Sequence, residues 1–93
     1  MDFQFTELGN DVFAYQVREG NEKVGEITWT LLGDIMVMDH TFVSPKLRGG
    51  GVAKKLLDRA AEYARDNDYK MDAVCSYVVS AFDRYKEYDD VKA

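Results

Sequence analysis

The stretch Ser44-Pro45-Lys46-Leu47-Arg48-Gly49-Gly50-Gly51-Val52-Ala53-Lys54-Lys55-Leu56 decides how this chain is read. Apolar residues alternate before it, as in strands, and recur at helical spacing after it. A strand therefore feeds a glycine loop, and the loop opens an amphipathic helix. The first N–H groups of such a helix have no intrahelical partner and carry the positive end of its dipole. Glycines let the backbone close on an anion, so the natural ligand is a phosphate or pyrophosphate. Lys46, Arg48, Lys54, Lys55 and Arg59 add positive charge here, interrupted only by Asp58. The plainer alternative is a helix start where glycines merely relieve crowding.

Upstream of the loop the chain reads as four strands. Phe3 and Phe5 alternate with polar residues, and Leu8–Asp11 supplies a turn. Phe13, Tyr15 and Val17 alternate next, and Gly20-Asn21 is a hairpin signal. Val24–Leu32 follows, with Ile27, Trp29 and Leu31 on one face; Gly33-Asp34 then turns the chain into Ile35–Val43. That last run is mostly apolar and predicts a strand covered on both faces. Downstream, Val52, Leu56, Ala60, Tyr63 and Ala64 predict a helix of about 15 residues ending at Asn67-Asp68. Met71–Val79 reads as a fifth strand, and Ser80 as the cap of a short helix reaching Tyr88. The predicted fold is α+β, in the order β-β-β-β-α-β-α. An antiparallel meander precedes a crossover that makes strands 4 and 5 parallel.

Composition narrows the class. Ninety-three residues suit a single domain spanning 1–93. No apolar run approaches the ~20 residues of a membrane span, and the first residues carry no readable signal peptide. A net charge of −5 argues against nucleic acid as a partner. One cysteine and one histidine give neither an internal disulfide nor a zinc site, so a cytoplasmic location is expected and no metal is implied.

Two phosphate-binding loops are excluded. A P-loop needs Lys and then Ser or Thr after its last glycine, whereas Val52-Ala53 follow Gly51. A dinucleotide fingerprint lacks its third glycine, and a meander precedes the loop instead of a first strand. What remains is Arg-x-x-Gly-x-Ala, met by Arg48, Gly51 and Ala53. It resembles the acyl-coenzyme-A pyrophosphate loop of the GNAT acetyltransferases. The wider string His40-Thr41-x-Val43-x-Pro45-x-x-Arg48-Gly49-x-Gly51, followed by Cys75-Ser76-Tyr77, is similar to small single-domain members of that superfamily. The resemblance covers about residues 10–90. Typical members carry two more helices between their first and second strands, where only Leu8–Asp11 stands here.

The resemblance implies acetyl transfer from acetyl-coenzyme A to an amine, with splayed fourth and fifth strands admitting the pantetheine arm. Lys46, Arg48, Gly49, Gly50, Gly51, Val52 and Ala53 would hold the pyrophosphate, and backbone near Phe42 and Val43 the arm. A main-chain N–H there can serve the developing oxyanion. His40, read on the face of Met36, Met38 and Phe42, suits a general base or a half-buried structural ring. Cys75, read mid-strand in line with Ala73 and Tyr77, is a pocket wall or a covalent nucleophile. Tyr85 fits the frame Ala81-x-x-x-Tyr85, in which many members place the acid for the departing thiolate. It also fits a core series with Phe82 and Tyr88. Protein termini, lysines and polyamines are all open as acceptors, and a non-catalytic acyl-coenzyme-A sensor is the alternative function.

Overall fold

Three tight turns, at Asn10-Asp11, Gly20-Asn21 and Gly33-Asp34, fold the first half back on itself three times. The resulting strands are β1 (Gln4–Gly9), β2 (Val12–Glu19), β3 (Glu22–Leu32) and β4 (Ile35–Val43), paired antiparallel in sequence order. The structure, a computed structural model, describes residues 2–93; Met1, where the expected domain begins, lies outside the described residues. A 3-10 turn (Pro45–Leu47) and the glycine loop lead into α1 (Val52–Asp66). Strand β5 (Lys70–Ala73) returns parallel to β4 at the sheet edge. Helix α2 (Ser76–Arg84) and a last 3-10 turn (Lys86–Tyr88) complete the α+β fold.

Helix α1 forms where the sequence places it because its apolar residues fall on one stripe. Val52, Leu56, Leu57, Ala60, Ala61 and Ala64 are buried, and Lys55, Arg59 and Glu62 face solvent. The alanines let the helix lie close to the sheet. Gly25 on β3 extends that approach, since a Cβ there would meet Leu56 Cδ1 at 3.4 Å and Val52 Cγ1 at 3.5 Å. Burying each large aliphatic side chain of this stripe stabilises the fold by about 1.5–3 kcal/mol. Helix α2 adds Val78, Ala81 and Phe82 to the same core. Contacts between α1 and the C-terminal segment, such as Tyr88 Oη donating to Asp58, place both helices on one side of the sheet. The smallest dimension, 20 Å, is that of two layers.

Three expectations need correction. The fifth strand stops at Ala73 rather than Val79, and the helix begins at Ser76 rather than near Ser80. The valines that suggested a strand are divided by the helical period: Val78 is buried, while Val79 stays 48% exposed. One buried helical stripe outweighs β propensity. Cys75 therefore leaves the mid-strand position in line with Ala73 and Tyr77 and becomes the residue that precedes α2.

Strand β4 is not covered on both faces. Met36 and Met38 are fully buried, but Ile35 and Val37 on the other face are only half-buried. Finally, His40 does not share a face with Met36 and Met38. The β3–β4 register runs Trp29↔Met38 and then Thr28↔His40, so Asp39 is an extra residue, a bulge. Beyond it the inward positions change from even to odd. Thr41 and Val43 face the helices; His40 and Phe42 face the helix-free side.

Candidate active site

The bulge, the short β5 and the glycine loop together open a groove. Pairing of β4 with β5 ends at Met38↔Ala73, and the Cys75 amide donates to the Met38 carbonyl at 2.9 Å. From there β4 runs on to Val43 without a neighbour on that side, so the two strands splay as the family resemblance implies. A cavity of about 490 Å³ fills the space between β4, the loop, α1 and α2. Val43, Arg48, Gly49, Gly51, Val52, Ala53 and Tyr85 line it, seven of the positions singled out from sequence. Thr41, Leu47, Lys54 and Tyr77 line it too. Of these, Thr41 was hidden by the bulge and Tyr77 by the strand reading of its segment.

The loop backbone turns through two left-handed glycines. Gly49 (φ 87°) and Gly51 (φ 73°) are left-handed, a conformation that side chains rarely adopt. Gly51 caps α1 without any side-chain hydrogen bond, and the first helical bond is Lys55 N–H to the Gly51 carbonyl at 3.1 Å. The amides of Val52, Ala53 and Lys54 thus have no intrahelical acceptor. Gly50 differs: its N–H donates to the Leu47 carbonyl at 3.3 Å.

The positive charge is less free than the sequence suggests. Lys46 pairs with Glu22 at 2.9 Å, away from the groove. Lys54 is held by Glu87 at 2.9 Å and Asp58 at 3.4 Å, and those carboxylates, with the Glu87 bond foremost, raise its pKa. Its ammonium lies 4.8 Å from the Tyr85 ring centroid, with the Arg84 guanidinium 5.3 Å from that ring. Arg48 is exposed on the groove wall and makes no ion pair among the described residues.

At the inner end, Cys75 Sγ donates to Thr41 Oγ1 at 3.5 Å. Burial pushes the thiol pKa up. The Thr41 hydroxyl and the amides of Val78, Tyr77 and Thr41 outweigh this by stabilising the thiolate, and the net pKa falls below the ordinary thiol value. The Ser44 amide donates to the Val24 carbonyl at 2.8 Å. By antiparallel alternation, the amides of Thr41 and Val43 then point into the gap, while Phe42 bonds back toward β3. His40 is exposed on the helix-free face, opposite Thr28, across the gap from Cys75. His40, Phe42, Lys46, Gly50 and Cys75 are not among the residues that line the cavity. Among the described residues no group of His, Cys, Asp and Glu could hold a metal, and no helix is long and apolar enough to cross a membrane.

Comparison with known proteins agrees with this architecture. A GCN5-like protein from Staphylococcus aureus shares 33% identity over 97% of this chain and 87% of its own, with a TM-score of 0.73. The ribosomal-protein-alanine N-acetyltransferase of Brucella melitensis is 25% identical over 91% of this chain, with a TM-score of 0.66. The ribosomal-protein-S18-alanine N-acetyltransferase of Escherichia coli, at 12% identity and a TM-score of 0.62, shares the fold. This chain spans 64% and 41% of those two longer proteins. Among curated proteins none matches it. The family model for GCN5-related N-acetyl-transferases matches residues 12–91, and the chain belongs to that acetyltransferase family.

Proposed function

We propose that residues 1–93 form a single acetyltransferase domain that moves an acetyl group from acetyl-coenzyme A to an amine, in the cytoplasm. The observation that carries this reading is one continuous groove with a left-handed glycine loop at one end and a break between parallel strands at the other. Acetyl-coenzyme A supplies an activated thioester and a pyrophosphate. The amides of Gly51, Val52 and Ala53, with the Arg48 guanidinium, suit the pyrophosphate. Gly49 keeps the loop close, Gly50 ties it back to Leu47, and Lys46 adds its charge if it leaves Glu22. The main chain at Val43, with Phe42 anchoring that segment to β3, lies along the arm. The Thr41 or Val43 amide is placed for the oxyanion.

His40 takes the amine proton from the helix-free face, directly or through a water. Cys75 walls the thioester, and transfer is direct. Tyr85 lines the same groove and is the candidate acid for the departing thiolate. The acceptor is a cationic amine of a terminus, a lysine or a polyamine. A non-catalytic sensor of acyl-coenzyme A is the second reading, favoured by the helix-free face, where no helix builds an acceptor wall.

Calorimetry with acetyl-coenzyme A tests the binding half. Gly51→Asp should lose on the order of 100-fold or more in affinity, because a carboxylate would meet the phosphates. Gly51→Asn bears the same backbone strain without the charge and should lose far less. Equal losses in both variants would discard the phosphate assignment. Thiol release across an amine panel tests the chemical half: His40→Gln should slow turnover on the order of 100-fold. Tight binding with no turnover on any amine would select the sensor.

A further inference from the structure

We infer that the Thr41 side-chain hydroxyl donates a hydrogen bond to the thioester carbonyl of bound acetyl-coenzyme A, and that Cys75 orients it to do so. This rests on the acetyltransferase reading above and adds a side-chain donor to the main-chain one proposed there.

Register puts this hydroxyl at the break between the strands. Pairing of β4 with β5 ends at Met38↔Ala73, and the bulge at Asp39 turns Thr41 toward the helices. Thr41 lines the cavity and is half-buried there. The contact between Cys75 Sγ and Thr41 Oγ1, at 3.5 Å, places its oxygen at the gap, since Cys75 lies just beyond the last paired residue of β5. The glycine loop forms the other end of the groove. In acetyl-coenzyme A the pantetheine arm separates the pyrophosphate from the thioester. With the pyrophosphate on the loop amides, the thioester comes to lie at the Thr41 end.

The hydrogen bonds at the gap leave one proton over. A hydroxyl donates once and can accept as well. Thr41 Oγ1 accepts from the Cys75 thiol, so its own proton points away from the sulfur. Among the described residues no acceptor takes that proton, and the groove is open to it. The Thr41 amide is less free, because it joins the amides of Tyr77 and Val78 in stabilising charge on the Cys75 sulfur. Those donors polarise the thiol and the thiol polarises the hydroxyl, and a chain of this kind strengthens its last bond. In the step, the amine nitrogen bonds to the carbonyl carbon, and the carbonyl pair moves onto oxygen. Thr41 stabilises that charge through its hydrogen bond and keeps its proton. The oxygen pair then returns, and the carbon–sulfur bond breaks with its electrons on sulfur. The thiolate takes a proton in place of the one that the amine gave up.

The test compares Thr41→Val, which is close in shape and lacks the hydroxyl, with Thr41→Ser, which keeps it. The first readout is the infrared carbonyl band of acetyl-coenzyme A, isotope-labelled at that carbon and bound to each protein with no acceptor present. Hydrogen bonding lowers a carbonyl stretch. The band should therefore lie higher in Thr41→Val than in wild type, and near wild type in Thr41→Ser. The second readout is thiol release with an amine that the wild type acetylates. Thr41→Val should lower kcat on the order of 100-fold with KM nearly unchanged, and Thr41→Ser should recover most of it. Calorimetry with coenzyme A, which lacks the acetyl group, should give wild-type affinity for both variants and show each groove intact. A band that Thr41→Val leaves in place, or Thr41→Ser as impaired as Thr41→Val, would overturn the assignment while leaving the enzyme reading intact. A wild type that acetylates no amine would remove the enzyme reading, and the band would still decide whether Thr41 meets the carbonyl.

Discussion

The two ends of α1 are built from different materials. Near its C-terminal half, side chains do the work. Trp29 is fully buried, with Phe5, Phe13, Tyr15 and Tyr63 around it at centroid distances of 5.5–6.2 Å. At its N-terminus, backbone does the work: left-handed glycines, amides without acceptors, and a strand edge without a neighbour. Ordering a run of glycines costs conformational entropy, and a ~10 kDa domain has only about 5–15 kcal/mol in total. Dense aromatic packing at one end offsets a loosely packed glycine loop at the other.

The largest effect should come from breaking the aromatic end. Trp29→Ala should cost about 3–5 kcal/mol in urea denaturation, enough to unfold much of the population. Trp29→Phe keeps a ring and should cost about 1–2 kcal/mol. It forfeits no hydrogen bond, because Trp29 Nε1 has no partner among the described residues. If the two ends are separate, Trp29→Phe leaves coenzyme A affinity unchanged. A parallel fall in affinity would show that the aromatic packing sets the groove.

The packed end was legible in sequence and the open end only partly so, for physical reasons. Alternation in Phe13–Val17 and Ile27–Leu31 and the change of period at Val52 both leave direct traces in residue order, and the meander and α1 follow from them. The bulge at Asp39 leaves none, because one extra residue in a register is visible only against its partner strand. Alternation alone therefore sets His40 on the face of Met36 and Met38 and turns Thr41 away from it. The segment 74–79 carries β-branched residues that suit a strand as well as a helix, and only burial against the core decides between them. The partners that hold Lys46 and Lys54, Glu22 and Glu87, lie far away in sequence.

The open end can be sharpened through its thiol. With its pKa below the ordinary thiol value, Cys75 should be alkylated by iodoacetamide with a lower pH midpoint than a free cysteine. Thr41→Val removes the Sγ partner and should move that midpoint up. Bound coenzyme A should slow labelling several-fold. A more thiolate-like Cys75 is also a better nucleophile, so direct transfer needs its own check. Incubation with acetyl-coenzyme A and no acceptor should give no stable adduct in an intact mass. An acetyl group on Cys75 that an added amine discharges would replace direct transfer with a covalent route.

The smallest effect belongs to the clasp between the two ends. Arg65 Nε donates to Asp90 at 2.8 Å, and the same guanidinium reaches the Glu87 carbonyl at 2.9 Å, tying the C-terminal segment to α1. The Arg65 hydrogen bond holds the Asp90 carboxyl below the ordinary carboxylate range. A depressed native pKa contributes stability above the unfolded value of ~3.9, and that contribution is lost as pH falls through the native one. Wild type should therefore exceed Asp90→Asn slightly in denaturation midpoint at neutral pH, and the gap should close on acidification. High salt should shrink it as well, since both side chains are solvent-exposed. A gap that widens in acid would reject the pair as its source. Coenzyme A affinity of Asp90→Asn places the clasp within the comparison. Lys54 keeps Glu87 and Asp58 as partners in that variant, so the groove wall should hold and affinity should stay the same. A several-fold loss would instead mean that the clasp positions Glu87, and that the C-terminal segment is part of the ligand-binding end.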